Sequence, residues 1–228
     1  MDAGDGKYYI QSKLGTVLDV TSASAAAGTN VQTYTFNQST AQKWTLLETE
    51  KTLYSIMGKT NVSVSQMVKF YKNKATVSYP YSNVSEAPTI EKFCQIYKEE
   101  SEVEGVKAEV AFAQAMMETG FLKFGGDVKK DQYNFAGIGA IGGGSSGAKF
   151  DSIRIGIRAH VQHLKAYASK EALKQPVVDP RFQYVKRGSA EYVQWLGQKE
   201  NPNGYGWATA KNYGNNIVKL YILPMKKY

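Results

Sequence analysis

The stretch that decides how this chain folds is VKAEVAFAQAMME (residues 106–118), followed by TGFLKFGG (119–126). Val106, Val110, Ala113 and Met117 recur at 4-3-4 spacing, and most positions between them are Ala, Phe or Met. That pattern predicts a helix buried on most of its sides. Thr119-Gly120 marks its end, because glycine adopts the left-handed conformation of a helix stop without a steric penalty. One carboxylate stands in the last turn: Glu118, beside Met116, Met117 and Phe121. An acid in such company is either paired or partly desolvated, and desolvation raises its pKa toward the range useful for a general acid. Composition alone also allows a Glu that simply turns outward at a helix end.

Helical periodicity continues on both sides. Ser63 with Gln66 three residues on fits a capping box, and Val64, Met67, Val68 and Tyr71 share one face of the helix it would open. YPYSNVSEAP (79–88) is a polar, proline-punctuated loop. Ile90, Phe93, Cys94 and Tyr97 mark a second helix, with Cys94 on its apolar stripe as a packing residue, not a nucleophile. Residues 134–150 are glycine-rich and expected as loop or hairpin. Asp151 or Ser152 can cap a long helix carrying Ile153, Ile157, Val161, Leu164 and Ala168. Shorter helices are expected around 189–196 and 208–221, the last with Tyr213, Ile217 and Leu220 in register. Residues 7–47 differ: KYYIQSKLG, TVLDVTSAS, VQTYTF and QKWTLL alternate in the manner of short strands separated by turns.

Composition narrows the chemistry. The 228 residues include one cysteine and two histidines, which excludes an internal disulfide framework or cysteine zinc site and leaves little for multi-histidine metal chemistry. No metal or cofactor is expected, and carboxylates, hydroxyls and aromatics must do the work. No apolar run approaches the ~18 residues of a spanning helix. The opening MDAGDGKYYI has neither a basic nor an apolar signal region, so the protein is intracellular or a signal has been removed. Residues 1–50 set Lys7, Lys13 and Lys43 against Asp2, Asp5, Asp19, Glu48 and Glu50, a net of −2; with +8 overall, the remainder carries +10. A basic body of that kind suits a polyanion, whether nucleic acid, acidic membrane surface or anionic wall polymer.

AEVAFAQAMMETGFLKFGG followed by NFAGIGA resembles the glucosaminidase family of cell-wall hydrolases, the lysozyme-like glycoside hydrolase family 73. The matching blocks are Ala113-Gln114-Ala115 with Glu118-Thr119-Gly120, then Asn134-Phe135-Ala136-Gly137-Ile138, then RAHVQHLKAYA (158–168), and finally Tyr205-Gly206-Trp207-Ala208 with Tyr213 and Ile217. Their order and spacing hold across about residues 55–225. The resemblance implies an α+β, lysozyme-like, mainly helical catalytic domain with a small β or glycine-rich insertion. It also implies hydrolysis of peptidoglycan at the β-1,4 bond on the reducing side of N-acetylglucosamine. Glu118 matches the family's general acid, which protonates the glycosidic oxygen. Gln114, Tyr133, Asn134, Phe135, Tyr205, Trp207 and Tyr213 are the implied substrate-binding residues, the aromatics as stacking platforms, with Phe135 and Trp207 also readable as core. The implied partners are peptidoglycan glycan strands and anionic wall polymers rather than nucleic acid, and the implied location is extracellular, at the cell wall. A non-cleaving wall-binding protein, a muramidase and a lytic transglycosylase are the alternatives.

Glycosidases commonly pair two carboxylates. Some relatives carry the second in the hairpin after the Asn-Phe block, but GIGAIGGGSSGAKF has none. Asp127 and Asp151 are the candidates nearby, Asp151 being better explained as a helix cap. The substrate's own 2-acetamido oxygen is therefore the preferred nucleophile.

The N-terminal segment resembles one repeat of a ricin-type lectin, through LDV (18–20), Gly28-Thr29-Asn30-Val31-Gln32, and Gln42-Lys43-Trp44 as the Q-x-W signature. Three such repeats make a β-trefoil in that family, and one alone buries too little surface for confident stability. The division expected is therefore a single truncated repeat over 1–50 and a glucosaminidase domain over 51–228, in a chain cut from a longer protein. In the family a sugar is held by the Asp of LDV, an aromatic, and an Asn just before Q-x-W. Asp19 and Tyr34 fill the first two places, Ala41 stands at the third, and Asn37 is the nearest substitute, so weak sugar binding is expected. Leu18, Trp44 and Leu46 should instead serve in packing.

Three further patterns carry less. Gly137, Gly139 and Gly142 match G-x-G-x-x-G, but neither a following helix nor an acid about 20 residues on is present. His160 and His163 lie one turn apart and read as helix-surface or packing residues. Glu99, Glu100, Glu102 and Glu104 read as a solvated acidic face.

Overall fold

The computed structural model describes residues 1–45, 53–140 and 147–228. Leu46, the expected boundary at 50/51, and residues 141–146 of the glycine-rich stretch, including Gly142, lie outside the described residues. The chain forms two compact units, Met1–Thr52 and Leu53–Tyr228, and the whole is a mixed α+β fold.

The first unit is built from short antiparallel strands. β1 (Asp2–Gly4), β2 (Lys7–Tyr8) and β5 (Trp44–Thr45) make one sheet in the order β1-β2-β5, and β3 (Val17–Val20) pairs with β4 (Val31–Tyr34) in another. The sheets stay open, as in a partial trefoil. The two motif triplets hold one another. The Trp44 indole N–H donates to the Leu18 carbonyl at 3.0 Å, and the Gln42 amide donates to Asp19 at 3.1 Å and to the Thr35 carbonyl at 2.9 Å. Gln42 is fully buried and its oxygen accepts from the Asn37 N–H, so Q-x-W works here as a bracket for the strand that carries LDV.

The second unit packs α1 (Val64–Lys74), α2 (Ile90–Glu104), α3 (Ala108–Thr119) and α4 (Ile153–Ala168) around one core, closed by α5 (Tyr213–Asn216). Ser63 opens α1 with the capping box its spacing predicts. α2 ends on left-handed Gly105 and α3 on left-handed Gly120. Cys94 is fully buried among apolar neighbours. No helix among the described residues is long and apolar enough to cross a membrane.

Three expectations need correction. Ser152 is the cap of α4, its hydroxyl accepting from Ile155 N–H, while Asp151 is exposed and caps nothing. The closing helix starts at Tyr213 rather than 208 and runs from α5 into a π-helical segment, Ile217–Ile222, before α6 (Leu223–Met225). The wider i→i+5 turn shifts the register: Ile217, Val218 and Ile222 face the core, while Leu220, expected in register, is 58% exposed.

The acidic run is the third. Glu100 and Glu104 are buried, because α4 presents a complementary basic stripe. Arg154 and Arg158 reach Glu100 at 2.7 and 2.9 Å, and Arg154 also pairs with Glu99 at 2.8 Å. Lys165 pairs with Glu104 at 2.9 Å with neither side chain exposed, and Glu104 also accepts the N–H groups of Lys174 and Gln175. Burying two charges is tolerable only with this degree of pairing. Lys165→Met should therefore strand the Glu104 carboxylate and destabilise the unit by about 3–5 kcal/mol. Chemical denaturation of the variant checks this; a loss near zero would mean that water or another cation reaches Glu104.

Candidate functional site

α3 delivers Glu118 to the rim of the helical core. From Ala108 to Met116 every residue of the helix is buried, and exposure begins only in its last turn. The chain then turns sharply. Phe121, Leu122 and Phe124 all adopt positive φ (56°, 62° and 56°), a region that bulky side chains avoid. The Thr119 hydroxyl holds the turn, donating to the Ala115 carbonyl at 2.7 Å and accepting from Leu122 N–H at 3.0 Å.

Glu118, Thr119, Gly120 and Phe124 line a hollow whose other side is formed by Gly126, Asp127, Val128, Asn134, Gly137 and Ala140. Gly137 and Ala140 also line a second hollow with Ile138, Gly139, His163, Tyr167, Arg181, Tyr184, Val185 and Trp207. The two hollows are neighbours that have these residues in common. Although Glu118 as a residue is open to its hollow, protein crowds its carboxyl, and that desolvation raises its pKa above the ordinary value. The hydroxyl of Tyr213 donates to Oε1 and acts in the opposite, weaker sense.

The other expected site residues divide into three groups. Asp127 and Asn134 share the hollow with Glu118. Asn134 shapes it: its amide donates to the carbonyls of Ile138 and Ala148 at 2.9 and 3.0 Å, and its oxygen accepts from Ile138 N–H at 3.0 Å. Trp207 lines the second hollow, packed edge-on against His163 with ring centres 4.7 Å apart.

The second group lines neither hollow. Gln114 and Phe135 are fully buried and Tyr213 nearly so, so they support the site rather than offer a surface for stacking. Tyr133 is half-buried against Tyr81, and its carbonyl passes so close to Gly156 on α4 that a Cβ there would lie 1.8 Å from the oxygen. The third group stands apart. Asp151 is exposed and lines neither hollow. Tyr205 is exposed, but Lys186 covers its ring at 3.9 Å and donates to its hydroxyl at 2.7 Å.

The histidines are both interior, not surface, residues. His163 bonds to Asp179 at 2.6 Å, and His160 bonds to Gln114 and Tyr97. Burial pushes the His160 pKa down to about 3, so it is neutral in the physiological range. Among the described residues no group of three or more His, Cys, Asp or Glu could hold a metal.

Arg181, Tyr184 and Tyr167 were not anticipated as site residues. The signal lay in the basic and aromatic interleaving of RFQYVKR (181–187), in which the Arg181 guanidinium sits 4.6 Å from the Tyr184 ring centre.

In the first unit, Asp19, Tyr34 and Asn37 do border one hollow, together with Gln32 and Ala41. Their polar atoms are partly engaged within the repeat. Asp19 accepts from Gln32 and Gln42, and the Asn37 oxygen accepts from Ser39 N–H at 3.0 Å.

With this geometry in place, comparison with known proteins identifies the family. The glucosaminidase family model, described as mannosyl-glycoprotein endo-beta-N-acetylglucosaminidase, matches residues 94–222. That is more than half of the sequence, and the chain belongs to this family. A ricin-type beta-trefoil lectin domain-like model matches residues 1–77. An uncharacterised protein of Borreliella burgdorferi is 46% identical over 132 residues, which are 58% of this chain and 61% of the relative. The match thus spans less than two thirds of that protein. Among solved structures, a catalytic mutant of Staphylococcus aureus autolysin E bound to the disaccharide NAG-NAM is 17% identical, with a TM-score of 0.49 over 83% of this chain and 82% of that one. Autolysin E with the muropeptide NAM-L-Ala-D-iGlu is 18% identical, with a TM-score of 0.48 over 95% and 86%.

The Tyr213 contact can be tested without substrate. Removing a hydrogen bond to the charged form while keeping the crowding should let the Glu118 pKa rise further. Tyr213→Phe is expected to move the Glu118 carboxyl titration to higher pH, followed by carbon-13 NMR of labelled glutamate. An unmoved or lowered titration would remove Tyr213 from the electrostatics of the site.

Proposed function

We propose that this protein is a peptidoglycan hydrolase acting at the cell surface, cleaving the β-1,4 bond on the reducing side of N-acetylglucosamine. Glu118 is its general acid. The observation that carries this is a desolvated carboxyl facing a hollow, its pKa raised above the ordinary value so that the protonated form persists to higher pH than in a free carboxyl. A neighbouring hollow that shares Gly137 and Ala140 is lined by the rings of Trp207, Tyr167 and Tyr184, where sugar faces can stack, and by Arg181, which can meet an anionic substituent. Residues 51–228 form the catalytic domain. Their net charge suits a wall rich in anionic polymer, and residues 1–50 act as a single lectin repeat that binds sugar weakly at most.

In this reading the Glu118 proton passes to the glycosidic oxygen as the bond breaks, and the substrate's 2-acetamido oxygen attacks the anomeric carbon from the other side. The oxazolinium ion so formed is opened by water, whose proton goes to the Glu118 carboxylate. A second route is favoured by one observation: Asp127, unlike Asp151, lines the same hollow as Glu118, which supports it as the carboxylate that would activate a water. The anomer released first separates the routes. Proton NMR should show the β product for acetamido attack; initial α product would instead demand a base-activated water, with Asp127→Asn as the variant that then tests the base.

Purified cell walls provide the test of activity. Mass spectrometry of released fragments should find N-acetylglucosamine at the new reducing end. N-acetylmuramic acid there would make the protein a muramidase, an anhydro sugar a transglycosylase, and no release at all a wall-binding protein. Glu118→Gln should lower kcat more than tenfold, equivalent to about 1.4 kcal/mol of barrier, with the fold unchanged by circular dichroism. Since the acid must be protonated, kcat/KM of the unmodified protein should fall as pH rises through the raised Glu118 pKa.

A further inference from the structure

A line of buried polar groups ends on Glu118. Tyr213 donates to Oε1 of Glu118, and the Gln114 amide donates to the Tyr213 oxygen at 2.8 Å. The Gln114 oxygen lies 2.9 Å from His160 Nε2, and His160 Nδ1 lies 3.1 Å from the Tyr97 hydroxyl. Tyr97, Gln114 and His160 are fully buried, so water cannot readily substitute for a missing partner.

The direction of every bond follows from the first. An ionised carboxylate only accepts, so Tyr213 must donate. Its oxygen is then free to accept, which turns the NH2 end of Gln114 toward it. The Gln114 oxygen therefore faces His160 and requires a proton on Nε2. A neutral imidazole has one donor and one acceptor, so Nδ1 accepts from Tyr97. All four donors point toward Glu118, and bonds aligned in this way polarise one another.

We propose that Tyr97, His160 and Gln114 are positioning residues that act through Tyr213, fixing its hydroxyl as a donor to Oε1 and leaving Oε2 to hold the proton given to the substrate. Reversing the chain would require turning over the Gln114 amide, changing the His160 tautomer and rotating the Tyr97 hydroxyl inside the core. The same alignment stabilises the carboxylate that appears when the proton leaves, where charge develops in the transition state. Burial keeps His160 neutral, and burial with the Glu118 charge keeps the Tyr213 phenol protonated. The other titratable groups facing Glu118 are Tyr221 on the π-helical segment and Asp127 across the hollow. His160 also meets His163 on its own helix and the Trp207 ring.

The catalytic part of this inference rests on Glu118 as the general acid, so the primary readouts need no turnover. Nitrogen-15 NMR of the unmodified chain should show His160 protonated at Nε2 and bare at Nδ1 when Glu118 is ionised; the opposite tautomer overturns the chain. His160→Phe should shift the Glu118 titration to higher pH, and His160→Gln, which can still donate to Gln114, should return it toward the unmodified position. If His160→Phe does not fold, Tyr97→Phe is the milder break and should shift the titration in the same direction. A folded variant with an unmoved titration overturns the inference. In turnover, His160→Phe should lower kcat about two- to fivefold, the scale on which polarisation strengthens a charged hydrogen bond, and carry the basic limb of kcat/KM upward with the titration. Should Glu118→Gln still cleave, the assignment of the acid fails while the tautomer and titration continue to test the chain.

Discussion

The burial of α3 on nearly every side governs the rest of the helical unit. A helix so enclosed cannot leave its polar side chains to water, so each must find a partner in a neighbouring element. Glu109 is met by the Tyr54 hydroxyl at 2.8 Å and the Asn61 N–H. Gln114 is met by Tyr213 and His160. Thr119 turns back on its own helix. Those demands tie α3 to the segment before α1, to α4 and to α5. Glu118 differs only in being the residue at which the enclosure opens.

Much of this was legible because local chemistry decided it. The capping box at Ser63 and Gln66, the glycine stop at Gly120 and the apolar periodicities of α2 and α4 depend on near neighbours in the chain. The Q-x-W and LDV triplets were also readable, although their mutual bracketing through Gln42, Asp19 and Trp44 appears only once the strands are paired. What the sequence hid was non-local. Glu100 and Glu104 look like a solvated face until α4 brings up Arg154, Arg158 and Lys165, whose own helical spacing places them on one stripe. Leu220 was misplaced because a π-helical turn leaves no mark in the spacing of apolar residues.

The candidate site shows the same division. Glu118 could be singled out from a carboxylate set in an apolar helix end, and Asn134 and Trp207 from the blocks around them. Gln114, Phe135 and Tyr213 belong to the site's frame, and no motif distinguishes a frame residue from one that meets a ligand. Burial makes that distinction, and burial depends on the whole fold. Arg181 and Tyr184 went unassigned for the converse reason: they reach the second hollow from a segment without regular periodicity.

The turn after Gly120 places three bulky residues, Phe121, Leu122 and Phe124, in a backbone region suited to glycine. Relieving that conformation with glycine would cost more packing than the strain returns, because Leu122 is 1% exposed within the core and Phe121 stacks on Tyr221 with 5.6 Å between ring centres. Phe124 packs edge-on against Tyr81, 6.4 Å between ring centres, and lines the hollow beside Glu118. The rim beside Glu118 is thus held by side-chain packing against the preference of its own backbone, and truncating any of the three would loosen it even though glycine suits the φ angle.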